Sequence, residues 1–586
     1  MMASKQAHSS GAAKRLAKLA RTENAEQYKV LVSTNGKKVS HFSLTLVDSN
    51  NKSIETTWEK GYNWNKEKEI TITINVEKEL GDIVQVKIQK YDASCFCRYV
   101  RVKSPSGKSF EFPCYRWLEK KEVVIREGSG NVMEDWNTDY MFGYQFLNGC
   151  NPVMIRKCVN LPEKFPVTYE MVEGFLQRGL TLQQELEKGN IYIADYEILY
   201  DFEANRTHLN TQCYLTAPIC LLYNNRLDQI VPIAIQLSQK PGESSPIFLP
   251  NDNEHDWRLA KMWVKSSDFT VHQLVTHLLK THLISEVFEV AMYRQLSTIH
   301  PVYKLLIPHV RFTIAINTRA RELLISENGV FSKISSISAA GMEELMKRAM
   351  ETFDYKSMCF PEAINARGMK NTPKYYYRDD GMKIWEAIYS FVDQVIKIYY
   401  DSDEKVQNDV EIQEFVKNVN FGMEDIISGR KDPEGKKFPR SLKTREELVK
   451  YLTAVIFNAS AQHAAVNFGQ FEWYGWIPNS PSTMLKPPPQ EKDSVDLKHI
   501  MNTLPDRGRS SMVLGTVWAL TQFQDNERYL GMYPDMHFTE QPVKEAIMTF
   551  RNTLKEVTDT IKRRNEGLTM SYCYLSPDQI PNSVAI

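Results

Sequence analysis

Apolar residues recur along this chain with two different periods. Over residues 27–126 they alternate, in the runs YKVLVST, HFSLTLVD, EITITINV, IVQVKIQKY, CRYVRVK and EVVIRE. A period of two gives each strand one apolar face. Turn formers such as Asn35-Gly36, Asp48–Asn51 and Ser104–Gly107 separate the runs. Short strands at this spacing predict a β-sandwich, in which Cys95 and Cys97 read as strand residues. From about residue 153 to 586 the pattern turns mainly helical, with long periodic segments at 339–352, 384–401, 445–468 and 540–565. Pro-rich loops such as 478–489 break it, and no internal repeat is visible.

One helical stretch carries unusual chemistry. Residues 263–291, WVKSSDFTVHQLVTHLLKTHLISEVFEVA, contain no Pro or Gly. Leu274, Val275, Leu278, Leu279, Leu283, Ile284, Val287 and Phe288 fall at helical spacing, and Asp268 stands ahead of them as the expected N-cap. His272, His277 and His282 are three of the chain's twelve histidines, at intervals of five. In an ideal α-helix an interval of five turns a side chain by about 140°. His277 and His282 therefore converge only if the helix widens into a π-bulge. Otherwise they are hydrogen-bonded core histidines. A second stretch, ASAQHAAVNFG at 459–469, places His463 and Asn467 four apart, about 40° from each other on one face.

At 586 residues the chain has room for more than one domain, and 42% hydrophobic with 25% charged residues is ordinary for a globular protein. Lys+Arg and Asp+Glu both total 72, so net charge steers no partner, and no basic stripe argues for nucleic acid. No apolar run approaches a membrane span. Nine scattered cysteines read as reduced thiols of an intracellular chain. Residues 1–26 are basic without a long apolar core, so they read as a disordered tail and not as a secretory signal. Phosphate loops and a Ser-nucleophile elbow are absent. Arg378-Asp379-Asp380 and Asp525-Asn526-Glu527 read as solvated surface or helix caps.

The run WVKSSDF…HQLVTHLLKTHLISEVF, then HAAVNFGQ, then the terminal LSPDQIPNSVAI resembles the animal lipoxygenases, with the C-terminal half most similar to the arachidonate 5-lipoxygenase type. The likeness runs from about Phe142 to Ile586, and more faintly over 27–126, where FEFPCYRWL (110–118) is similar to the last strands of a PLAT domain. It implies a PLAT (C2-like) β-sandwich at 27–126, a shortened linker at 127–141 and a large, mainly α-helical catalytic domain at 142–586. It implies one non-haem iron held by His277, His282, His463, Asn467 and the α-carboxylate of Ile586, with His272 outside the ligand set. Imidazole, amide and carboxylate donors without thiolate suit a redox-active metal better than structural zinc.

The implied activity is dioxygenation of a polyunsaturated fatty acid such as arachidonate to an S-hydroperoxide, with onward leukotriene or epoxide formation. The chemistry would rest with an iron-hydroxide, and no side chain is assigned a separate acid–base role. Positions matching the family's substrate pocket are Phe269, Gln273, Ala320, Leu324, Val330, Phe331, Ile334, Ser335, Thr516 and Leu520; each read alone also fits a packed core. In the family, Ala at the position of Ala320 goes with S products. The PLAT likeness implies peripheral membrane docking, with Trp64 and Trp117 as contact candidates. It also implies calcium, but Lys66 and Lys68 interrupt the acids of the candidate loop YNWNKEKE (62–69), which reads better as a polar hairpin tip. A cytoplasmic chain at a membrane surface, the nuclear envelope included, is the expected setting. One departure stands out: SGNVMEDWNTDY leads directly to FGYQFLNGCNP, where the family has the helices that open the catalytic domain and roof its pocket. An unroofed pocket gives the alternative, a catalytically impaired form that binds lipid or a partner.

Overall fold

The computed structural model describes residues 26–34, 41–48, 52–59, 69–76, 78–91, 95–118, 123–126, 131–206, 211–426, 437–523, 526–566, 568, 570–584 and 586. The basic tail, the loop bearing Trp64 and the candidate calcium acids, Asp525 and the side chain of Trp117 lie outside this description. The chain divides into two units, Met1–Glu134 and Asp135–Ile586.

In the first unit each of the six alternating runs predicted is a strand: β1 (Glu26–Thr34), β2 (His41–Asp48), β4 (Glu69–Val76), β5 (Ile83–Lys90), β6 (Cys95–Lys103) and β8 (Val123–Arg126); the stretch likened to the last PLAT strands is β7 (Ser109–Leu118). β3 (Ser53–Glu59, SIETTWE) was not predicted, being mostly polar, and it pairs only with β2 at a sheet edge. Two four-stranded sheets form, β4-β1-β6-β7 and β3-β2-β5-β8, and every pairing is antiparallel. Alternate residues turn inward: Tyr28, Val30 and Val32 on β1, and Phe42, Leu44 and Leu46 on β2, are buried in one core.

The second unit is mainly helical but opens on a five-stranded antiparallel sheet, β13-β12-β11-β10-β9, which corrects the helical reading of residues 153–250. Its strands are β9 (Arg156–Lys157), β10 (Ile191–Asp195), β11 (Ile219–Asn224), β12 (Ile230–Gln236) and β13 (Ile247–Phe248). ICLLYN and IVPIAIQ are buried on nearly every residue, so they show no alternation to read. Helix α1 (Asp139–Asn148) packs on β12. Gly143 makes that approach possible, since a Cβ there would stand 1.7 Å from the Ile230 carbonyl oxygen. The bridge ahead of α1 is fixed within this unit. Lys261 Nζ donates to Asn137 O and, at 2.7 Å, to Asp139 Oδ1, and Trp257 Nε1 donates to the same carboxylate at 2.9 Å.

The other elements that position the site are α2 (Glu254–Val271), α3 (Ile284–Gln295), α4 (Thr313–Ala320), α5 (Tyr376–Tyr399), α6 (Arg445–Phe457), α7 (His463–Asn467), α8 (Arg507–Leu520) and α9 (Gln541–Glu566). Three of the four long periodic segments form as read: Ala339–Thr352, α5 and α9. The fourth, 445–468, is interrupted between α6 and α7. Asp380, read as solvated, is fully buried on α5 and takes a two-pronged ion pair from Arg564 Nη1 of α9 at 2.6 and 2.7 Å.

Candidate metal centre

Helix α2 starts at the N-cap Asn253, whose side chain accepts from His255 N, and runs on without a stop through Val271. Asp268 is therefore not an N-cap. It lies buried in the last turn of α2 and accepts from Asn151 Nδ2 and Tyr196 OH, both at 2.7 Å. Burial raises its carboxyl, while burial pulls nearby Lys265 down to about 7. From Leu259 to Val271 every residue of α2 is buried, so no apolar stripe led back to its true start.

Beyond α2 the backbone does widen. His272–Leu283 is wound as a π-helix, twelve residues long, before α3 resumes the tighter ladder. Thr281 Oγ1 donates to His277 O at 2.6 Å, giving a carbonyl of the widened ladder a second partner. A shorter π-turn, Asn458–Gln462, joins α6 to α7 and presents His463. Ser460 Oγ plays the corresponding part there, donating to Ile456 O at 2.6 Å.

These two widened segments bring three imidazoles together. The Nε2 atoms of His277 and His282 are 3.2 Å apart, those of His282 and His463 3.1 Å, and those of His277 and His463 3.4 Å. All three residues are buried. Burial holds His282 down to about 4, and burial with mutual repulsion holds His277 and His463 well below the ordinary imidazole value. Protons cannot satisfy this triangle. Each neutral Nε2 is either a donor or an acceptor, and three mutual contacts cannot all pair one with the other. A cation in the middle faces three lone pairs, and it removes the conflict. Among the described residues this is the one cluster of three or more His, Cys, Asp or Glu side chains found to fit a metal ion. His272 stands apart from it. Its Nε2 lies 2.7 Å from Val466 O, an acceptor only, so that nitrogen carries the proton.

Asn467 is buried one turn beyond His463. Its Nδ2 donates to Leu520 O at 2.7 Å, and its Oδ1 accepts from Gln470 Nε2 at 2.7 Å. Gln470 Oε1 accepts in turn from Gln273 Nε2 at 2.6 Å. The Asn467 oxygen is thus aimed, with a second lone pair to spare. The C-terminal run is held down as well. Leu530 N donates to Ile580 O at 2.7 Å, His309 Nδ1 to Asn582 O at 2.8 Å, and Ser583 Oγ to Arg311 O at 2.9 Å. Val584 is fully buried and Ile586 half-buried.

The predicted pocket positions divide. Phe269, Gln273, Ala320, Phe331, Ile334 and Ser335 are buried, and Phe269 meets Tyr474 edge-on with ring centres 5.0 Å apart. Leu324, Val330, Thr516 and Leu520 are half-buried, and the Thr516 hydroxyl donates to Met512 O. Exposed Leu323 and Trp518 lie beside them in sequence. The sequence reading missed Gln470 and Asn317, whose amides sit behind Asn467 and His282. Only the spacing of Gln470, three residues after Asn467, hinted at a role.

A lipoxygenase family model matches residues 129–574, and a PLAT/LH2 domain model matches residues 28–126. The chain belongs to the lipoxygenase family. Over 455 residues this lipoxygenase chain is 47% identical to Hydroperoxide isomerase ALOXE3 of Mus musculus, a match covering 78% of the chain and 63% of that protein. Polyunsaturated fatty acid lipoxygenase ALOX15B of Homo sapiens is 45% identical over 457 residues, 78% of the chain and 67% of that protein. Arachidonate 12-lipoxygenase, 12R-type, of Mus musculus is 44% identical over 456 residues, 78% of the chain and 64% of that protein. The match to the isomerase thus spans less than two thirds of that relative's length. These relatives, and not the 5-lipoxygenase type, mark the finer likeness of the C-terminal half. Among solved structures, a calcium-dependent 11R-lipoxygenase superposes with a TM-score of 0.75 at 31% identity, over 96% of this chain and 100% of that one. The coral 8R-lipoxygenase gives 0.75 at 30%, with the same coverage. A PLAT sandwich followed by a large helical lipoxygenase domain is the architecture shared with them.

Proposed function

We propose that this chain holds one non-haem iron on His277, His282 and His463, with Asn467 and the carboxylate of Ile586 completing the set, and oxygenates a polyunsaturated fatty acid. The observation that carries the reading is the buried triangle of Nε2 atoms, 3.1 to 3.4 Å on a side, which protons cannot satisfy. Its nitrogen and oxygen donors, without thiolate, suit iron better than structural zinc. The chemistry such an iron supplies when bound is one-electron oxidation at a C–H bond, after which O2 adds to the carbon radical.

The chain's own residues do the rest. The three imidazoles stay neutral, so their lone pairs remain available well below neutral pH. Gln470 aims the Asn467 oxygen, and Gln273 fixes Gln470. Buried Phe269, Phe331 and Ile334 offer the apolar wall that an alkyl chain requires. No side chain needs to act as a separate acid or base. Ala320, buried at the end of α4, favours S-hydroperoxides, and Ala320→Gly should raise the R fraction.

The test is iron per chain, with oxygen uptake and conjugated-diene absorbance on adding arachidonate. About one iron with uptake supports the dioxygenase. Chains lacking iron under iron-replete conditions would sink it. Adding one residue after Ile586 should abolish activity, because the carboxylate would move.

A second reading has its own support. Leu323 and Trp518, beside the expected pocket positions Leu324 and Leu520, are exposed, and Thr516 is only half-buried. A pocket open to water would lose its radical, leaving a poor catalyst that binds lipid or a protein partner. Iron without oxygen uptake would select this reading. The isomerase relative adds a third outcome, turnover of a fatty-acid hydroperoxide without O2 consumption.

A further inference from the structure

We propose that Asn317 and Glu286 are positioning residues that set the tautomer of His282, and so aim its Nε2 lone pair into the metal centre. The inference rests on the iron reading above and names who enforces one of its ligands.

Hydrogen-bond polarity decides the tautomer. Asn317 is fully buried on α4, and one polar atom of its amide lies 3.1 Å from His282 Nδ1. The other lies 2.8 Å from Glu286 Oε2 and 2.9 Å from His282 O. An amide can be placed either way round, and its neighbours decide. The His282 carbonyl only accepts. So does the Glu286 carboxylate, which also takes a hydrogen bond from Arg321 Nη2 at 2.7 Å. The atom facing both must therefore be the NH2 group. That leaves Oδ1 toward His282, so Nδ1 must carry the proton. With the proton on Nδ1, Nε2 is bare, and Nε2 is the atom inside the triangle.

The arm is fixed at both ends. Glu286 follows His282 by four residues and stands in the first turn of α3. Glu289, one turn further on, accepts from Ile314 N at 3.1 Å and holds the start of α4. The same residues thus lock α4, with Ala320 at its end, against the π-helix. His463 has no such arm, since its Nδ1 is buried without a partner. Of these two ligands, His282 is the one whose proton the fold places by hydrogen bonds.

The test reverses the polarity. Purified full-length chain is stripped of metal and titrated anaerobically with Fe(II), and the ferric EPR signal is recorded after oxidation. Melting of the metal-free chain serves as the fold control. Asn317→Asp keeps an acceptor toward His282 but sets two carboxylates face to face. Binding should weaken by about 10- to 100-fold, the range found when a ligand's outer partner is lost. Asn317→Leu should do the same. Adding Glu286→Gln to Asn317→Asp supplies a donor where repulsion stood, and should recover a large part of the loss together with the wild-type EPR shape. A merely structural role predicts no such recovery. Wild-type affinity in both Asn317 variants, or a double variant no tighter than Asn317→Asp, overturns the assignment alone. A wild-type chain that binds neither Fe(II) nor Co(II) overturns the iron reading and this assignment with it.

Discussion

Individual residues here do their work through burial. Burial lowers His272, His282 and His309 to about 4, and holds His277 and His463 well below the ordinary imidazole value. In an unfolded chain all five titrate near pH 6.5. Between pH 6.5 and 4 the unfolded chain takes up these protons and the folded chain does not, so stability falls as pH falls. Each histidine adds about 1.4 kcal/mol per pH unit well inside that window. The metal-free chain should melt at progressively lower temperature from pH 7 to pH 5, and bound iron should raise the melting temperature across that range without removing the slope. A flat melting temperature over that range would count against buried neutral imidazoles. The Asp380–Arg564 pair makes a second test. Burial pushes the Asp380 carboxyl up to about 6 even though Arg564 opposes the shift. Arg564→Met leaves that carboxylate buried and unpaired, and should cost about 3–5 kcal/mol in a denaturation experiment.

Among the elements, the decisive one is the π-helical segment His272–Leu283. The interval of five between histidines is legible in the sequence, and an α-helix cannot make it converge. The interval left two readings, a widened ladder or separate core histidines, and the structure shows the widened ladder. Two other features of local structure were not legible. The start of α2 was missed because this helix is buried on most of its surface and shows no stripe. The sheet β9–β13 was missed because its central strands are apolar throughout. Gly143 sits where α1 meets that sheet. Gly143→Ala drives a Cβ into the Ile230 carbonyl, and the backbone must shift to relieve it. The expected cost is at least about 1–3 kcal/mol, read as a lower melting temperature, with a larger loss if α1 lifts off β12. An unchanged melting temperature would mean the close approach is not kept in solution.

The whole molecule is two units with separate cores. The first closes its own sandwich from two four-stranded sheets, so a fragment spanning residues 1–134 should fold alone. The measurement is a cooperative thermal transition with a β-type circular dichroism spectrum; a fragment without a cooperative transition would show that the unit needs the rest of the chain. Strand alternation, helical period and the two-unit order were legible in the sequence, because they follow from local periodicity along one chain. The three clustered histidines were named as a set through the likeness to the lipoxygenases; their spacing alone left a packed core open. Other features needed the tertiary structure. His463 lies 181 residues from His282 and meets it only because α7 packs on the π-helix. The Asn317–Glu286 arm, the Gln273–Gln470–Asn467 relay and the burial of Asp380 each join groups far apart in sequence. Hydrogen-bond polarity and desolvation are properties of a neighbourhood, and periodicity along a chain does not encode which neighbours arrive.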